Sequence, residues 1–185
     1  MNVFYSIMAL MFLASAGFVC GQEQAALTPA TPAASILSNY PKLEAQAKEF
    51  GNSFIQKDFK RLAELTYPKY IEIVGGTQNL IGVATRTARQ FEDNGVELLS
   101  WEPTEVTQLF EESGSLYAVV PMTMRTKARN VVAEDYDCLI GVSIDNGVHW
   151  TFVSSTCVRL KDAFPRVADK LVVCPEKQWV KLPAH

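Results

Sequence analysis

Few residues in this chain have side chains suited to chemistry. His149 is the one histidine inside the chain, the other being the terminal His185, and a single internal histidine is the natural candidate for a general base near neutral pH. It follows the Asp145-Asn146-Gly147 turn, and alternation sets it opposite Val148, Trp150 and Phe152, which places it on a rim or in solvent. The cysteines are Cys20, Cys138, Cys157 and Cys174, none in a CxxC pair, and with so few histidines a zinc site is not expected. Gly-x-Ser-x-Gly does not occur, so nothing supports a nucleophile elbow. No cofactor and no metal are expected.

What these cysteines do depends on the compartment. Residues 1–21 carry no Asp, Glu, Lys or Arg, and Val3 to Leu13 is almost wholly apolar. That run is short for a bilayer span and is followed by small residues, which predicts a cleaved secretory signal ending at Gly21, with cleavage after Ala16 as the alternative. Lipid attachment at Cys20 or a retained N-terminal anchor are the minor alternatives; otherwise the protein is secreted or periplasmic with no stable membrane span. Export would leave Cys138, Cys157 and Cys174, for which one bridge and one spare thiol is the simplest arrangement. Cys157 and Cys174 would close a loop stabilised by about 3 kcal/mol on the chain-entropy model. Three small buried hydrophobes without a bridge is the competing expectation.

The elements that must position any site follow from periodicity. Residues 22–36, rich in Ala, Pro and Thr, read as a flexible linker. Leu43, Ala47, Phe50, Phe54 and Ile55 form a helical stripe behind Pro41, and Asp58 caps a short second helix with Phe59, Leu62 and Leu65 on one face. Tyr70 to Val74 is a β-branched run closed by Gly75-Gly76 and predicts a strand and turn. Thr77 is the expected cap of a third helix, striped by Leu80, Ile81, Ala84, Ala88 and Phe91 and stopped at Asn94-Gly95.

Strands follow at 96–102, 105–112, 115–126, 131–144 and 148–156, an antiparallel meander. Within the third, Leu116, Ala118, Val120, Met122 and Met124 share a core-like face, and Pro121 implies an edge or a bulge. Glu111-Glu112 and Glu134-Asp135 are placed near strand ends as solvated charge. Leu160, Phe164, Val167 and Leu171 predict a small C-terminal helical piece broken by Pro165, and residues 176–185 a tail.

This α+β order resembles the nuclear transport factor 2-like (SnoaL-like) superfamily, a cone of curved antiparallel sheet wrapped around N-terminal helices. Phe50 and Phe54 before Lys57-Asp58, Tyr67-Pro68 to Gly75-Gly76 before the long helix, and Asp145-Asn146-Gly147 with Trp150-Thr151-Phe152 carry the likeness over about residues 37–175. The resemblance implies a pocket between sheet and helices. In the steroid-isomerase branch a helix-one Tyr polarises a carbonyl and acids move a proton; here Phe50 stands at the Tyr position. The acid position falls on Glu72 or Ile73 by one residue of register, so Glu72 is the candidate base, and His149 is a second candidate from its own chemistry. The implied ligand-binding wall comprises Trp101, Tyr117, Met122, Met124 and Trp150. Phe50, Phe54 and Tyr70 join it from the helical side.

The chain as a whole has 185 residues, 48% hydrophobic and 20% charged, enough for one packed domain, and its net charge of −3 gives no pull towards nucleic acid. The reading that follows is a secreted, non-catalytic domain binding a small apolar ligand in its cone or forming a homodimer through its sheet. A cavity enzyme of the isomerase, dehydratase or cyclase type and an envelope protein-interaction module are the alternatives.

Overall fold

The computed structural model describes residues 40–173 and 180–182. The expected signal, its cleavage sites, Cys20, the 22–36 linker and Cys174 lie outside the described residues. Four helices come first: α1 (Pro41–Ile55), α2 (Phe59–Leu65), α3 (Pro68–Ile73) and α4 (Thr77–Asp93). Strands β1 (Val96–Pro103), β2 (Gln108–Glu112), β3 (Ser115–Ala128), β4 (Val131–Ser143) and β5 (Thr151–Ser154) follow, then α5 (Leu160–Ala163) and β6 (Val180–Leu182). A curved, partly closed antiparallel sheet wraps the N-terminal helices as a half-barrel, the α+β cone expected from the sequence.

Pro41 opens α1, and the Asp58 side chain accepts from the Arg61 N–H at 3.0 Å to cap α2. The expected strand at Tyr70 to Val74 is instead α3. Pro68 presets the helical φ at its start, and Gly75-Gly76 ends it rather than turning a strand. The Gly76 N–H donates to the Ile71 carbonyl and the Gly75 N–H to that of Glu72, the paired bonds of a Schellman stop, with Gly75 at φ +87°. Gly76 occupies the cap position of α4, and Thr77 is its first residue.

The sheet is not a simple meander. β1 and β2 both pair with β3, one after the other along the same side, and the order runs β1-β3-β4-β5 with β6 on β4. Pro121 sits within β3 opposite Cys138, and its carbonyl accepts from the Thr104 N–H at 2.8 Å. In an antiparallel ladder a residue's N–H and C=O point the same way, so the missing N–H faces the break between β1 and β2, where no ladder bond is lost. The last strand also starts later than alternation suggested, at Thr151, because the tip is occupied by a turn with Asn146 and Gly147 at positive φ.

Both faces of the sheet are covered. On the inner face Leu116, Ala118, Val120 and Met122 from β3 pack with Leu139, Phe152 and Trp150 against Leu43, Ala47 and Phe50 of α1. The helix comes very close at Gly51, where an added Cβ would lie 2.5 Å from the Trp101 carbonyl oxygen. Ala normally outperforms Gly inside a helix by about 1 kcal/mol. Here Gly51→Ala is expected to destabilise by about 1–3 kcal/mol, because backbone rather than a flexible side chain must move. A thermal melt followed by circular dichroism checks the sign, and a raised midpoint would show that α1 is free to lift off β1.

On the outer face Val119, Cys138, Ile140, Val142 and Val153 are buried under Ala163, Phe164, Val167 and Leu171. The sequence placed a helical piece here; the structure shows one turn of helix followed by turns, laid flat on the sheet. Phe164 stacks on Tyr67 at 4.9 Å, and Gln108 holds the far end, donating to the Lys170 carbonyl at 2.7 Å and accepting from the Val172 N–H at 3.0 Å.

Candidate functional site

Burial along the inner face is not uniform. Met122 is fully buried and Thr126 nearly so, but Met124 between them keeps part of its surface, as do Trp101 across on β1 and Asp137 on β4. Register fixes their common face, since Trp101 pairs with Met124, Met124 with Asp135, and Met122 with Asp137. The three residues therefore share this face, and each of them is left incompletely covered. Phe50 and Phe54 of α1 meet the Trp101 ring edge-on at 5.7 and 6.1 Å.

Asp137 is the polar centre of this region. Its Oδ1 accepts from the Ser154 hydroxyl at 2.9 Å and from the Cys138 backbone N–H at 2.7 Å. Desolvation nevertheless pushes its carboxyl up to about 6; those two hydrogen bonds oppose the rise and neighbouring Asp135 adds to it. Ser154 also shares a hydrogen bond with the Thr156 hydroxyl at 2.7 Å. From there the polar side chains run outward to Cys157, whose thiol lies beside Ser154, Thr156 and Tyr70.

Cys157 is a free cysteine with exposed surface, which overturns the expected Cys157–Cys174 disulfide. The physical reason is the direction of its thiol, which is taken up by Tyr70, Ser154 and Thr156. Crowding by protein and the Asp137 charge push this thiol up, so it stays protonated and is a poor nucleophile. Burial pushes the Tyr70 phenol up as well, with Cys157 adding to the effect.

The residues singled out from sequence divide into separate places. Phe50, Met122 and Trp150 lie buried in the inner core, with Phe54 and Trp101 packed against it. Tyr70 and Tyr117 pack against the outer cluster, on the other side of the sheet. Glu72 is on α3, with a side chain 67% exposed and paired to Lys69 at 2.7 Å. His149 is 78% exposed, and its Nδ1 meets the Asp145 carboxylate at 2.6 Å. That carboxyl is held far below its usual range by the backbone and ring N–H groups of His149, so the pair serves to tie the turn. The structure does not bring Glu72 or His149 to Asp137 or Trp101.

Asp137 is the residue sequence reasoning passed over, and Asp135 the one it read as solvated charge. Glu134-Asp135 sits inside β4 rather than near a strand end, and Asp135 is 7% exposed. Glu134 takes the other face and pairs with Arg125 at 3.3 Å. The signal was available in the alternation of β4, which puts Ala133, Asp135, Asp137 and Leu139 in phase on one side.

No protein family, curated protein or solved structure matches this chain. Its likeness to the nuclear transport factor 2-like superfamily is one of fold shape, a curved antiparallel sheet around N-terminal helices. Among the described residues no helix is long and apolar enough to cross a membrane, and no group of three or more His, Cys, Asp or Glu is placed to hold a metal ion.

Proposed function

We propose that this domain is an exported binding module that holds a small, largely apolar molecule on the face shared by Trp101, Met124 and Asp137. The observation that carries the reading is the position of Asp137, a partly buried carboxyl in phase with Leu139 on the inner, apolar face of β4. A binding site of this kind uses apolar walls for affinity and one or two polar groups for orientation. The outer face speaks against dimerisation through the sheet, since residues 158–171 of the same chain already occupy it.

The test uses the full chain and N-phenyl-1-naphthylamine, a neutral apolar dye with one N–H donor that brightens in apolar surroundings. Saturable binding is expected, and Met124→Trp, which puts a larger ring on that face, should weaken it about tenfold or more with an unchanged urea midpoint. No saturable signal with the unmodified protein would remove the binding reading.

Proton transfer at the same place is the second reading, favoured by the pKa of Asp137 at about 6, which suits a general acid or base near neutral pH. It replaces Glu72 and His149 as the acid–base candidates by a single carboxyl with a hydroxyl partner in Ser154.

A further inference from the structure

Among the described residues, one buried side-chain nitrogen or oxygen has no hydrogen-bond partner, and it is Nε1 of Trp101. A buried donor left unpaired is costly, and indole N–H groups inside proteins ordinarily find an acceptor. The ring's aromatic neighbours, Phe50 and Phe54, offer no acceptor atom. Its cross-strand neighbour is Met124, an unbranched, adaptable side chain that yields readily to an incoming group. The unpaired donor's residue thus lies on the same face of the sheet as Asp137, with β3 between them.

We infer that Trp101 donates its indole N–H to an oxygen of the bound molecule, and that this molecule is a neutral, apolar compound carrying a carbonyl or ether oxygen. This rests on the binding reading above and narrows it. An acceptor is required because Nε1 is a donor only. Neutrality follows from the wall itself, where the Asp137 carboxyl lies on the same face as Trp101 and repels an anionic head group such as a carboxylate or phosphate. The ligand spans two strand spacings and two residues along the strand, about 12 Å, if it touches Trp101 on β1 and Asp137 on β4 together.

Three probes of matched shape test this on the full chain. 1-Ethylnaphthalene has no acceptor, 1-acetonaphthone has a neutral one, and 1-naphthoic acid has an anionic one. The unmodified protein should bind the ketone about 3–10-fold tighter than the hydrocarbon, the span of one net hydrogen bond, and the acid most weakly. Trp101→Phe should bind hydrocarbon and ketone alike. In the unmodified protein the Trp101 indole N–H resonance should move on adding ketone and stay put with hydrocarbon, a readout that stands even if the variant folds poorly. If all three probes fail to bind, the binding reading falls. If they bind without a ketone preference, or the preference survives Trp101→Phe, or the N–H resonance shows a pre-existing water partner that ketone does not displace, the role given to Trp101 is wrong while the binding reading remains. A preference for the acid overturns the neutral character of the ligand.

Discussion

Phe152→Ala should remove about 3–5 kcal/mol of stability, a large part of the roughly 5–15 kcal/mol that holds a domain together. Phe152 is wholly buried, its ring 5.9 Å from that of Phe50, and it fills the space above Gly141, where an added Cβ would already lie 3.1 Å from its Cε1. The glycine and the large ring are one fitted pair across β4 and β5. Truncating the ring leaves a cavity between α1 and the sheet that backbone cannot collapse into, because the Phe152 carbonyl still accepts from the Tyr67 N–H and keeps β5 in place. Urea unfolding should show the lower midpoint with an unchanged slope. A loss below about 1 kcal/mol would mean that the inner face is loosely filled.

Asp137→Asn is expected to behave oppositely at neutral pH, raising stability by about 1–3 kcal/mol above pH 7 while making little difference near pH 4. The carboxyl is raised from 3.8 to about 6 in the folded chain. Below both values the folded and unfolded chains hold the proton alike. Between them the folded chain keeps a proton that the unfolded chain has released, so stability falls as pH rises through this window and stays lower above it. A tenfold change in proton affinity is worth about 1.4 kcal/mol, and that conversion sets the upper bound. Asn copies the uncharged acid, and its carbonyl oxygen can still accept from Ser154 and from the Cys138 N–H. Urea midpoints of both proteins from about pH 4 to 8 should converge at the acid end and diverge at the other. A constant gap would show that the carboxyl titrates as it does in water.

The long helices and β3 were legible because their apolar residues repeat over many positions, as in the α1 stripe ending at Phe54 and the run from Leu116 to Met124. α3 was not, since six residues are too few to show a helical period and the β-branched Ile71, Ile73 and following Val74 imitate a strand. Asp137 was hidden by treating the acidic residues of β4 as surface charge, although their phase with Leu139 marks an inward face. The thiol of Cys157 and the unpaired N–H of Trp101 leave no trace in local pattern at all. Both depend on where α3 and α1 come to rest, which only long-range packing decides.

The cover on the outer face comes from residues 158–171, late in the chain, while most of the sheet it shields is complete at Ser154. A ribosome that has released only the strands thus presents a bare, sticky wall, with Val119, Ile140 and Val142 open to the first greasy surface they meet. Growth of the last stretch closes that hazard, so quality control must bridge the interval, and fragments cut short before Phe164 are the natural seeds of aggregates.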